Sequence, residues 1–303
     1  MKHMKTALFI ALGITTVAFL LYWLAAIRRH SGAEGGEWMP GPVDALIGFV
    51  TNFFDTLGIG SFAPTTAIFK LRKLVRDEQI PGTLNVGHTM PTVAEAFIFI
   101  AIVTVDPTTL FSMIAASSLG AWLGAGVVAR WPRRTVQIGM GIALILAAGL
   151  MLHSQLSADP AGGVDVGVTG VKLGIAVAAN FVLGALMTLG IGLFAPCMIL
   201  ITLLGMNPKV AFPIMMGSCA FLMPTGSIRF IRERSYNLKS ALGLAVGGVP
   251  GVLIAAYIVK ELSLKTVKWL VIVVVIYTAA MMLRSAMVER SRRPVEVVPS
   301  IGN

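Results

Sequence analysis

One string of residues occurs twice in this chain, and each copy interrupts an apolar stretch. Thr-Leu-Gly-Ile-Gly-Ser-Phe-Ala-Pro at Thr56–Pro64 returns as Thr-Leu-Gly-Ile-Gly-Leu-Phe-Ala-Pro at Thr188–Pro196, with only Ser61 and Leu193 differing. Gly-x-Gly followed by proline does not continue a helix, because glycine is permissive in φ and proline lacks the N–H an interior position must donate. In water such a string is a turn. In a bilayer, irregular backbone persists only where protein buries it or it lines a cavity.

Composition decides for the bilayer. The chain is 56% hydrophobic and 13% charged, about half the charge content of an ordinary soluble domain. Ala7–Ile27 and Val267–Leu283 approach or exceed the ~20 apolar residues a helix needs to cross a membrane. The chain reads as an all-α polytopic membrane protein. A net charge of +10 would suggest nucleic acid in a soluble protein; here the basic residues crowd into short loops, as membrane topology demands. No nucleic-acid module, nucleotide-binding glycine loop or metal-ligand spacing occurs, so no nucleic acid, cofactor or metal is expected. Cys197 and Cys219 lack CxxC spacing and read as small apolar packing residues.

Taken in order, 1–30 forms an N-terminal transmembrane helix, too long for a signal-peptide core and without a convincing cleavage site. The glycine- and proline-rich stretch 31–42 is a linker. Transmembrane repeat 1 spans 43–152: a broken segment around Thr56–Pro64, then three helices beginning near Pro81, after Asp106-Pro107, and after the turn Arg130–Arg134. The stretch 153–170 links the halves. Repeat 2 spans 171–285 in the same order, and 286–303 is a basic tail. Three further landmarks support the duplication: Pro81 with Pro213, Met90-Pro91-Thr92 with Met223-Pro224-Thr225, and Thr135-Val136 with Thr266-Val267. Internal similarity in this detail is a strong architectural signal.

Lysine and arginine placement orients the chain. If each broken segment crosses once, the basic residues divide almost evenly between the two sides. If each folds back as a hairpin and the N-terminus lies outside, Arg28, Arg29, Lys70–Arg76, Arg130–Arg134, Arg229–Lys239 and Arg284–Arg293 all fall inside, which satisfies the positive-inside rule. The C-terminus is then cytoplasmic. Three crossings plus a hairpin give each repeat an odd crossing total, so the two repeats insert with inverted topology. Inverted repeats built on broken helices are an architecture of secondary transporters.

The pattern resembles the sulfite exporter TauE/SafE family of bacterial permeases, also called the toluene-sulfonate uptake permease family, over about Val43–Leu283. The resemblance rests on the Leu-Gly-Ile-Gly…Pro string, the turn before Asp106-Pro107, and the loop Arg232–Leu238 leading into a helix with Gly243, Gly247, Gly248 and Gly251. The family's usual string has two more glycines where this chain has Ser61-Phe62 and Leu193-Phe194. The resemblance implies a permease of the bacterial inner membrane that exports sulfite, a sulfonate or a related organosulfur anion, and no enzyme.

The two strings are the candidate substrate site: Gly58, Ile59, Gly60, Ser61, Phe62, Ala63, Pro64 and Thr65 from one, Gly190, Ile191, Gly192, Leu193, Phe194, Ala195, Pro196 and Cys197 from the other. Pro64 and Pro196 are expected to begin the second arms, whose positive N-terminal ends suit an anion. Alternatively, the glycines only let helices pack closely. Asn85, Thr89 and Ser218 supply further donors. Ionisable residues at depth usually face a cavity or a partner, which makes Asp55, His88 and Glu95 the candidates for proton coupling; His88 and Glu95 share a helix face. Arg229 reads as a snorkelling anchor. The expected partners are a small anion, the lipid bilayer and a coupling proton or cation, with a homo-oligomer left open. The competing readings are an anion channel of the same architecture and an intramembrane hydrolase using Ser61 and His88.

Overall fold

The computed structural model describes residues 2–31, 39–128, 133–156, 163–187 and 193–291. Gly190, Ile191 and Gly192, most of the first linker, the turn at Trp131 and the tail beyond Ser291 lie outside the described residues.

The described residues form eleven α-helices: α1 (Lys2–Ser31), α2 (Pro42–Thr56), α3 (Phe62–Arg72), α4 (Ile80–Ile102), α5 (Pro107–Val128), α6 (Arg133–Leu156), α7 (Gly170–Met187), α8 (Phe194–Leu203), α9 (Ala211–Arg232), α10 (Leu238–Glu261) and α11 (Leu264–Ser291). Among them no strand forms beyond one isolated bridge, Asp165 with Met206. Proline marks several starts: Pro42 and Pro107 open α2 and α5, and Pro81 is second in α4, positions where its missing N–H has no helical partner to lose. Among the described residues five helical stretches are long and apolar enough to span a bilayer, within α1, α7, α10 and α11 and over α9 with the turn before it (Pro208–Arg232). After α1, each half supplies five helices in the same order, the first two separated by the repeated string.

Packing exchanges the halves. α2 lies along α10 and its counterpart α7 along α5, while α4 pairs with α9 and α6 with α11. The α2–α10 approach is close enough that a Cβ at Gly247 would collide with the Ala45 carbonyl, and Gly243 and Gly251 meet Asp44 and Phe49 in the same way. Gly120 and Gly184 play this part between α5 and α7, against the Phe181 and Ser117 carbonyls. Small residues let membrane helices gain van der Waals contact by bringing backbones together.

Hydrogen bonds sort the helix termini into two ends. At one, Ser240 Oγ donates to Asp44 Oδ1 at 2.8 Å, Asn237 N donates to Thr83 Oγ1 at 2.9 Å, and Gln137 Nε2 donates to Ser285 Oγ at 3.2 Å. Ile47 near the start of α2 and Phe69 near the end of α3 share an apolar cluster there with Ile80, Leu84 and Leu244. At the other end, Lys172 Nζ at the start of α7 donates to Leu204 O just past α8, at 3.2 Å. Lys209 Nζ donates there to Leu262 O at 2.7 Å. Each broken segment therefore returns to the end from which it set out.

Candidate functional site

The first break is a backbone event. Gly58 and Gly60 sit at φ 92° and 88°, a region where a Cβ is strained. α2 stops at Thr56 and α3 starts at Phe62, with Ser61 immediately before it. The expectation that Pro64 and Pro196 begin the second arms is shifted by two residues, because α3 starts at Phe62 and α8 at Phe194. Both prolines instead take the third helical position, still inside the first turn, whose amides have no intrahelical acceptor. The free first-turn donors are thus those just before each proline.

The two tips meet. A Cβ at Gly58 would strike Met198 of α8. Ile59, Gly60, Ser61 and Phe62 line one cavity of about 80 Å³ together with Leu193, Phe194 and Ala195, and Asp55, Thr92, Cys219 and Met223 help close it. Thr92 and Met223 adjoin Pro91 and Pro224, prolines inside α4 and α9 that each remove one helical hydrogen bond at this level.

A buried polar network runs behind the first tip. Ser61 donates its backbone N–H to Asp55 Oδ1 at 3.0 Å and its hydroxyl to Asp55 Oδ2 at 2.9 Å. Thr65 Oγ1 donates to Ser61 O at 2.7 Å and lies 3.2 Å from His88 Nε2. His88 Nδ1 lies 3.0 Å from Asn52 Oδ1, whose amide nitrogen donates to Gly48 O at 2.7 Å. Thr56 Oγ1 is 2.8 Å from Asn52 O and 2.7 Å from Glu95 Oε1, and Glu95 Oε2 has no hydrogen-bond partner among the described residues. Asn52, Thr56, Thr65, His88 and Glu95 are fully buried. The Phe62 ring lies 5.7 Å from the His88 ring.

This arrangement corrects one reading. The Ser61 hydroxyl is bonded to Asp55 and the His88 ring to Thr65 and Asn52, so Ser61 and His88 form no nucleophile–base dyad, which requires a direct hydrogen bond between them. His88 and Glu95 do share a helix face, yet the side chains and backbone of α2 connect them.

The remaining candidates are dispersed. Ala63 is exposed and Pro64 half-buried, while Pro196 and Cys197 are buried beneath the second tip. Asn85 donates to Pro81 O at 2.9 Å; Thr89 donates to Asn85 O at 2.6 Å and lies 3.1 Å from Ser227 Oγ. Ser218 Oγ accepts from Asn180 Nδ2 at 3.5 Å. Asn85, Thr89 and Ser218 do not line the tip cavity. Arg229 is exposed and paired with Glu233 at 3.0 Å. Asn52 was the omission with a signal: an amide inside an apolar run needs a partner as much as a carboxylate does. Thr92, Met187, Met223 and Thr278 reach the cavity through helix rotation, for which the chain carries no local mark. Among the described residues no three His, Cys, Asp or Glu side chains gather to hold a metal.

Apolar spanning helices, two folded-back segments and a cavity where they meet define a multi-pass α-helical membrane protein. A family model described as "Sulfite exporter TauE/SafE" matches residues 1–151 and 172–302, and the chain belongs to that family, one of membrane transporters. No curated protein and no solved structure matches the chain.

Proposed function

We propose that the protein is a secondary transporter that exports a small sulfur oxyanion, sulfite or a sulfonate, across the bacterial inner membrane by alternating access about the tip cavity. The observation that carries this reading is that both folded-back segments contribute their tips to one cavity. Around it the first-turn amides of α3 and α8 lack intrahelical acceptors and lie at positive dipole ends, which favours an anion. The sulfur oxyanion class comes from the family. In this reading the site comprises Gly58–Thr65 and 190–197, with Asp55, His88 and Glu95 as the proton-coupling element and Asn85, Thr89 and Ser218 lining the route beyond.

The two halves act as inverted repeats. α2–α3 sets out from one end of the molecule and α7–α8 from the other, and the exchanged packing of α2 on α10 and α7 on α5 matches a two-fold relation in the membrane plane. Rocking of one half against the other would then expose the cavity alternately. Arg28, Lys70, Arg72, Lys73, Arg76, Arg232 and Arg234 lie toward the end where α2 starts; the positive-inside rule favours that end as the cytoplasmic one in this reading, with the N-terminus outside.

Counterflow in proteoliposomes tests the reading. Labelled sulfite or methanesulfonate should enter faster when the lumen is preloaded with the same unlabelled anion. An ohmic anion current without such acceleration would make the protein a channel. Neither flux nor current with any sulfur oxyanion would remove the substrate class.

A further inference from the structure

We propose that Asp55 is a tethered competitor of the transported anion, so that the anion occupies the first tip only as Asp55 takes up a proton. This deepens, and rests on, the reading of the cavity as an oxyanion site. Ser61 immediately precedes α3, and it lines the cavity with Asp55. A substrate oxyanion at a helix N-terminus would use donors of this kind. Both Ser61 donors are already committed, at 3.0 and 2.9 Å, to the two oxygens of Asp55. An anion arriving beside an ionised Asp55 would find these donors taken and a like charge at close range. Protonation of Asp55 removes that charge, releases the Ser61 N–H and hydroxyl to the substrate, and adds the acid hydrogen as a further donor. One anion bound therefore means one proton bound.

The neighbouring groups fit this exchange. Among the described residues the titratable groups that act on Asp55 are Glu95 on α4 and the Cys219 thiol on α9, and His88 on α4 connects to it through Thr65 and Ser61; the lysines and arginines of α1, α3, α7, α9, α10 and α11 sit toward helix ends. Thr56 has one hydroxyl hydrogen but two oxygens within bonding distance, Asn52 O and Glu95 Oε1. Both contacts are satisfied when Glu95 is the neutral acid donating to Thr56. His88 needs no charge here: its Nδ1–H donates to Asn52 Oδ1, and its Nε2 lies against the Thr65 hydroxyl, whose hydrogen can turn to it because Ser61 O also accepts from Thr65 N. The resting cluster then holds one charge, that of Asp55, which the substrate replaces. The second tip carries Leu193 at the Ser61 position, so the exchange belongs to the first tip.

The test uses the full-length protein in lipid nanodiscs with methanesulfonate and sulfite as probes. Calorimetric titration in buffers of different ionisation enthalpy counts the protons taken up per anion. For methanesulfonate, whose charge is constant with pH, wild type should take up one proton, and affinity should fall about tenfold per pH unit once Asp55 is ionised in the free protein. Asp55→Asn should give zero uptake and a flat pH profile. Infrared difference spectra of wild type provide a second readout that needs no variant: anion addition should create a new carboxylic-acid C=O band. Binding without proton uptake or without that band overturns this inference and leaves the substrate reading standing. Failure of both probes to bind wild type and Asp55→Asn alike removes the substrate reading, and this inference with it.

Discussion

Ser240 donates its hydroxyl to the Asp44 carboxylate at 2.8 Å, joining the start of α10 to the start of α2 across 196 positions of chain. The bond ties a helix of the second half to the first arm of the first hairpin, beside the glycine face where the two backbones nearly touch. Ser240→Ala should cost about 1–3 kcal/mol, since a buried carboxylate loses a donor. Thermal unfolding of the purified protein in detergent would show it as a lowered midpoint, with α2–α3 contacts otherwise retained.

Gly247→Leu should be far more damaging. Its Cβ has no room against the Ala45 carbonyl, and backbone cannot give way as a flexible side chain does. Overpacking of this kind costs about 3 kcal/mol. Gly13→Leu is the control, because nothing lies within 4 Å of its Cβ position. The first variant should lose folded, monodisperse protein on size-exclusion chromatography and the second should not.

At the tip, Gly60→Ala meets no neighbour, but φ is 88°, so the loss should be backbone strain alone, about 1–2 kcal/mol. Gly58→Ala has the same strain and adds a collision with the terminal methyl of Met198, the far end of a flexible side chain that can shift at modest cost. Met198 is fully buried, so truncating it would add a cavity cost of about 2–5 kcal/mol and mask the comparison. Unfolding midpoints of the two single variants therefore measure the strain and the added collision, and counterflow rates should fall in the same order.

Arg229→Gln tests whether a fixed cation serves the anion. The Arg229 side chain is 80% exposed and its partner is Glu233 on the same helix. Exposed pairs at this spacing contribute about 0.5 kcal/mol or less. Anion exchange in this variant should stay within about twofold of wild type by the same reasoning, and a severe loss of exchange would place Arg229 on the path.

Topology is open to labelling. Cys197 and Cys219 are buried, so they should react little with impermeant maleimide. Cysteines at Arg76 and Arg234 should react from one face of the membrane and a cysteine at Ser263 from the other. Reaction at 76 and 234 from opposite faces would contradict the arrangement of helix ends.

Much of this architecture is legible along the chain. The helices follow the apolar runs because transfer free energy belongs to the residue. Helices α3 and α8 begin two residues ahead of the prolines, because the N–H a proline lacks at the third position has no intrahelical acceptor to lose. The folding back of both broken segments was legible only indirectly, through the sidedness of Arg28, Arg29 and the Lys70–Arg76 loop. Asp55, His88 and Glu95 were visible as ionisable residues at depth, and the structure joins all three into one network. It joins them through Asn52, Thr56 and Thr65, whereas Asn85, Thr89 and Ser218 bond elsewhere.

The breaks at Gly58 and Gly60 could be read without any fold, because φ freedom and a missing N–H act within a few residues. What those breaks bring together could not. Ser61 bonding Asp55 instead of His88, and Thr92 and Thr278 reaching a cavity between two tips, depend on the rotation and crossing of helices distant in the chain. A hydrogen bond is made or lost over a few tenths of an ångström, a precision that only the packed assembly of helices supplies.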